Sequence, residues 1–150
     1  MYCSAGNLVV HPRIRLLWSQ PLWLVVHIED GLGDYLLALT RQETKAWYHL
    51  QKPTWKHHIS AVRGEIETDI NRDYDFDGEQ VDFFYDMDIY QAGGHFCVNV
   101  RCPRVEEIRT SLGLSPEPPI RLHLTFAVVA QPSRHFDFWT RDRVGEVAAE

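Results

Sequence analysis

The stretch His57-His58-Ile59-Ser60-Ala61-Val62-Arg63 alternates as a β-strand does. Successive side chains of a strand point to opposite faces, so His58, Ser60 and Val62 share one face and Ile59 and Ala61 the other. A second stretch, Ile120 to Val129, reads the same way. It sets His123, Thr125 and Ala127 on one face and Leu122, Leu124 and Phe126 on the other. Each stretch presents a histidine and, two residues on, a hydroxyl.

What precedes each stretch is also alike. Leu22 to Ile28 is a strand, bounded by Pro21 and by Glu29-Asp30-Gly31. A helix over 32–45 follows, because Leu32, Tyr35, Leu36 and Leu39 fall on one face at helical spacing, and it frays before Pro53. In the second half, Val81 to Tyr90 and Phe96 to Arg101 read as a hairpin around Gln91-Ala92-Gly93-Gly94. Pro103 opens a helix over 104–112 whose apolar face is Val105, Ile108 and Leu112, with Gly113 as its stop. Ser115-Pro116-Glu117-Pro118-Pro119 is neither helix nor central strand. Leu8 to Val10 and Ile14 to Trp18 are further short strands. The order strand, helix, histidine strand therefore occurs twice without a fixed-distance repeat. Residues 1–150 are expected to form a single α+β domain, in which two similar halves face their histidines toward a shared cleft.

The chemistry of such a cleft follows from its residue types. A neutral imidazole takes a proton from an attacking oxygen while an imidazolium gives one to the leaving oxygen. Histidine suits both tasks because its free pKa is near neutrality. The hydroxyls of Ser60 and Thr125 donate to a phosphoryl oxygen as charge builds there. This is the equipment of a phosphodiesterase that requires no metal and no cofactor.

His58-Ile59-Ser60-Ala61 and His123-Leu124-Thr125-Phe126 resemble the paired signatures of the 2H phosphoesterase superfamily. That resemblance implies a bilobed fold, two antiparallel-sheet lobes with flanking helices around a central cleft. The context Pro53 to Glu65 and the opening Gly6-Asn7-Leu8-Val9-Val10-His11-Pro12-Arg13 are similar to small proteins of T4-like bacteriophages, the anti-CBASS phosphodiesterases. Ser60 departs mildly from the threonine commoner in relatives. The resemblance implies hydrolysis of the cyclic di- and trinucleotides by which bacteria signal infection, in the host cytoplasm. Two alternatives remain: a general 2H enzyme acting on RNA ends or 2′-5′ linkages, and a non-catalytic nucleotide sponge on the same scaffold.

Other residues are candidates for holding the substrate. Arg63 touches phosphate or pairs with Glu65 at the strand end, and Arg121 shares the face of His123. Trp55, Tyr35 and Trp139 offer ring faces on which a base can stack. His57 is expected to be exposed, and His27 structural or exposed. The acidic run Asp73 to Glu79 lacks the ligand order of a calcium loop and reads as an exposed turn.

Composition narrows the partners. A net charge of −6 speaks against a surface for long nucleic acid and leaves room for a small anion held by a few local cations. The three cysteines, Cys3, Cys97 and Cys102, form no CxxC and read as reduced thiols of a cytoplasmic protein. The N-terminus has no basic region followed by an apolar run, so no signal peptide is expected. The run Leu22 to Ile28, broken by His27, is too short to span a bilayer.

Overall fold

Residues 1–11, 20–45 and 50–130 are described by a computed structural model. The chain runs β1 (Tyr2–Val10), β2 (Pro21–Ile28), α1 (Asp30–Thr44), β3 (Leu50–Gln51), β4 (His58–Glu67), β5 (Gln80–Tyr85) and β6 (Tyr90–Ala92). It continues through β7 (His95–Arg101), α2 (Pro103–Ser111) and β8 (His123–Val129). The expected strand Ile14 to Trp18 lies outside the described residues. The class is α+β, as expected.

All strand pairings are antiparallel, in the order β3-β8-β4-β2-β1-β5-β7-β6. Because β7 also pairs with β8, six strands (β8, β4, β2, β1, β5 and β7) close into a barrel. The motif strands β4 and β8 are direct neighbours in this one continuous sheet. The expected repetition appears in the topology: β2-α1-β4 and β7-α2-β8 each fold so that the two strands flanking the helix pair antiparallel.

Alternation explains the core. Leu22, Leu24, Val26 and Ile28 of β2 are all buried, together with Ile59, Leu124, Phe96, Val98 and Phe83. Each such side chain contributes roughly 1.5–3 kcal/mol of transfer free energy, which is what holds the barrel closed.

Both helices pack on this core, with one correction. The buried stripe of α1 is Gly33, Leu36, Leu37 and Thr40, and Tyr35 is turned out at 56% exposure. The cause is His57. Expected to be exposed, it is only 1% exposed, and its ring occupies the place where a Cβ at Gly33 would sit. The glycine lets the helix backbone come down onto the imidazole, which fixes the rotation of α1 about its axis. On α2, Val105 and Ile108 are buried as expected, and Gly113 ends the helix at a left-handed φ of 78°. The expected long hairpin strand is broken. At the break the Asp88 N–H donates to Asp86 Oδ1, and β6 returns to β7 around Gly93-Gly94. The acidic run is an exposed turn at Asp73, Asp75, Asp77 and Gly78, as expected, and it is anchored at two points. Phe76 is buried, and Asp77 Oδ1 accepts the Val10 N–H at 2.9 Å.

Candidate active site

His58 and Ser60 of β4 and His123 and Thr125 of β8 line one cleft of about 990 Å³. The strand register brings them together. His58 stands opposite Thr125 and Ile59 opposite Leu124, so one step further sets Ser60 level with His123. Directly opposed residues of an antiparallel pair lie ~4.5–5.5 Å apart, and diagonal ones ~7–8 Å. Each histidine thus stands opposite the hydroxyl residue of the other motif, and the two histidines sit on the diagonal.

The imidazoles are oriented alike. His58 Nδ1 donates to the Lys56 carbonyl at 3.0 Å, and His123 Nδ1 donates to the Arg121 carbonyl at 2.8 Å. A carbonyl only accepts, so each Nδ1 carries a proton, and the lone pair of the neutral ring is on Nε2. Lys56 holds its carbonyl there from a left-handed φ of 64°, a conformation that costs a bulky residue about 1–3 kcal/mol. Burial lowers the His123 pKa below the ordinary imidazole value. The bond to the Arg121 carbonyl opposes that shift, and the charges of Arg63 and His95 add to it.

The hydroxyls differ in their surroundings. Ser60 Oγ is buried and makes no hydrogen bond among the described residues. A buried hydroxyl usually has a partner, so Ser60 retains hydrogen-bonding capacity at the cleft. Thr125 Oγ1 lies 3.6 Å from Cys97 Sγ. Burial pushes the Cys97 thiol up to about 11, so it stays protonated at neutral pH and is able to donate to Thr125.

Arg63 reaches the same cleft by a route that strict alternation does not give. Leu24 pairs with Val62 but Val25 pairs with Ser60, so Ala61 is an extra residue, a β-bulge. Ala61 and Val62 both go to the core, and Arg63 takes the cleft face that alternation assigns to Val62. β8 does the same. Phe96 pairs with Ala127 and Cys97 with Thr125, so Phe126 is extra, Ala127 is buried and Val128 lines the cleft. The two bulges fall at the same offset from the two histidines.

The remaining candidates divide. Trp55 lines the cleft at 48% exposure. Tyr35 lies outside it, on the exposed face of α1. Arg121 lines a separate depression of about 540 Å³ with Arg101, Glu106 and Glu117, and its link to the first cleft is its carbonyl, which accepts from His123 Nδ1. Trp139 lies outside the described residues. The expected Arg63–Glu65 pair is replaced, because Arg109 takes Glu65 through two bonds of 2.7 Å. His27 is half-buried and stands opposite His58. Sequence reading missed Trp23, His95 and Cys97, which line the cleft from the neighbouring strands. The available signal was alternation, since Trp23-x-Val25 and His95-x-Cys97 share faces and pair across to Arg63, Ser60, Val128 and Thr125. It also passed over His11 as a site residue. That ring is at the cleft edge with φ 51°, within 2.9 Å of Thr68 Oγ1 and 3.4 Å of Gln20 Nε2, and burial lowers its pKa.

Among the described residues no helix is long and apolar enough to cross a membrane. Comparison with family models, with curated proteins and with solved structures finds no match to this chain.

Proposed function

We propose that this chain is a metal-independent phosphodiesterase of the 2H type that cleaves cyclic di- or trinucleotide messengers of bacterial antiviral (CBASS) signalling. The observation that carries this reading is the matched pair of imidazoles. Each has Nδ1 held by the carbonyl two residues before it, and each histidine stands opposite the hydroxyl residue of the other motif. One Nε2 takes the proton of the attacking oxygen, and the other returns a proton to the leaving oxygen. For a ribose 2′-hydroxyl attacking its own 3′-phosphate, the P–O5′ bond breaks. The products are a 2′,3′-cyclic phosphate and a 5′-hydroxyl, and water then opens the ring. Ser60, Thr125 and Arg63 stabilise the charge gathering on the non-bridging oxygens.

Three further features favour this reading. The repeated strand-helix-strand order supports a 2H reading, although its strands form one closed sheet in place of the two sheet lobes that the resemblance implies. A cleft of about 990 Å³ suits a small nucleotide and is at the upper end for ligand sites. Trp23 and Trp55 offer base-stacking faces beside Arg63, while the net charge of −6 disfavours long RNA. A phage-encoded protein of this kind would work in the host cytoplasm.

The test is incubation with a panel of cyclic oligonucleotides in EDTA, with products read by mass spectrometry. Linear or cyclic-phosphate products from the cyclic substrates are expected. Cleavage confined to RNA ends or 2′-5′ linkages would move the substrate to the general 2H class. Tight binding without turnover would make the protein a sponge. Turnover abolished by EDTA would overturn the two-imidazole chemistry.

A further inference from the structure

We propose that Arg109 is a positioning residue: by gripping β4 on both sides of Arg63, it holds the strand in the bulged form that aims the Arg63 guanidinium into the cleft. The role assigned to Arg63 rests on the proposed function, but the geometry of the grip does not.

Arg109 is on α2 and is fully buried, a rare place for an arginine. Its Nη1 donates to the carbonyl of Ala61, the extra residue of the bulge, at 2.8 Å. Nη1 and Nη2 each donate to a Glu65 carboxylate oxygen at 2.7 Å, and Nε donates to the Ser115 carbonyl at 2.7 Å. One guanidinium therefore fixes the residues two before and two after Arg63, and ties both to the turn that follows α2.

The strand needs such a hold. A bulge leaves its extra residue out of the ladder, and Ala61 has no strand partner on β2. A second irregularity follows at Gly64, which has a φ of 70° and a Cβ position only 3.0 Å from Pro21 Cβ. Arg63 thus sits between two departures from regular pairing, where a strand is free to twist. Without the bulge, alternation would turn Val62 to the cleft and Arg63 to the core. Buried ion pairs seldom add net stability over apolar packing, and their best-attested use is to select one conformation. A planar fork that holds a backbone carbonyl and a carboxylate together is suited to that use, and lysine cannot reproduce it.

The test reads Arg63 through its neighbour His123, whose proton affinity the Arg63 charge lowers. His123 is titrated by NMR on histidine-labelled protein without substrate, in wild type, Glu65→Gln, Arg109→Lys and Arg63→Ala. Releasing the grip lets the Arg63 charge move away, so the His123 pKa rises in Glu65→Gln and Arg109→Lys, toward its value in Arg63→Ala. In the Arg63→Ala background, Glu65→Gln then leaves His123 unchanged. If the panel shows turnover, both grip variants lower kcat/KM by up to roughly a hundredfold, as misplacement of a site group does, and do so only when Arg63 is present. Should Arg109→Lys fail to fold, Glu65→Gln decides alone, since its side chain is 20% exposed at the rim. Folded Glu65→Gln with an unmoved His123 titration, or with the same shift in the absence of Arg63, overturns the proposal. The titration uses no substrate, so an inactive protein would count against the proposed function and leave this result standing.

Discussion

Gly33→Ala places a methyl group where the structure has the His57 ring. Two effects of opposite sign follow. Alanine in place of glycine within a helix favours folding by about 1 kcal/mol. Against this, a methyl group forced into a filled site costs typically ~1–3 kcal/mol. The upper part of that range applies, because the ring has little room to yield. His57 is 1% exposed, its carbonyl accepts the Ile28 N–H at 3.0 Å, and the next residue is paired into β4. The net destabilisation is then about 1–2 kcal/mol, a fall in Tm of roughly 2–8 °C for a chain of this size. The assay is calorimetric or circular-dichroism melting of four proteins: wild type, Gly33→Ala, His57→Ala and the double variant. His57→Ala empties the socket, so the same Gly33→Ala change should turn from destabilising to stabilising in that background. An equal penalty in both backgrounds, or a Gly33→Ala protein that melts at or above wild type, would refute the packing argument.

The proposed chemistry makes sharper demands on the cleft. His58→Ala and His123→Ala should each lower single-turnover rates by ~10²–10⁴ with the fold retained, and a near-normal rate in either excludes the two-imidazole mechanism. Thr125→Val and Ser60→Ala each remove one donor to the phosphoryl oxygens, expected to cost about 3 kcal/mol in kcat with a smaller loss of affinity; full kcat in both makes the hydroxyls structural. The kcat/KM profile should be bell-shaped, and because burial lowers the His123 pKa, the limb that His123→Gln removes should lie below pH 6.5. Stability should also depend on pH through Glu65, whose carboxyl the hydrogen bonds from Arg109 hold below its ordinary value of 4.5. The contribution of that group is present above 4.5 and is lost as pH falls through its folded pKa, so Glu65→Gln should flatten acid denaturation monitored by urea melts.

Much of this arrangement was legible in the sequence because it is periodic. Alternation located β4 and β8 and placed each motif histidine and hydroxyl on a common face, while bounding turn residues marked β2 and β7. What periodicity hides is a single inserted residue. Ala61-Val62 and Phe126-Ala127 are apolar pairs, and strict alternation assigns one of each pair to the wrong side. The clue was Arg63, which unbroken alternation would have turned into the core. Long-range sockets left weaker traces still. Nothing near His57 announces that Gly33, on a helix before it, will receive the ring. Arg109 falls at helical spacing with the buried Val105, but its partner Glu65 is 44 residues away, and a charged residue on a helix ordinarily reads as solvated.

The two halves also bear on how one scaffold would give two histidines different tasks under the proposed mechanism. The fold repeats their backbone settings closely: the same Nδ1 bond to the carbonyl two residues back, the same hydroxyl two residues on and the same bulge after it. Acid and base must nevertheless differ in protonation at one pH, so the difference has to come from positions that the repeat does not equate. The register identifies them. Trp23 stands opposite Arg63 in the first half, and His95 stands opposite Val128 in the second. A permanent cation beside an indole faces an apolar side chain beside an imidazole across one cleft. Under the proposed mechanism, that rim would give the site a direction, and a phosphodiester with a base on the indole would meet His58 and His123 in one order. Exchanging the rim residues, as Arg63→Val with Val128→Arg, is therefore a more searching perturbation of the proposed mechanism than deleting either histidine. It leaves both proton-transfer groups in place and changes only which of them lies nearer the cation.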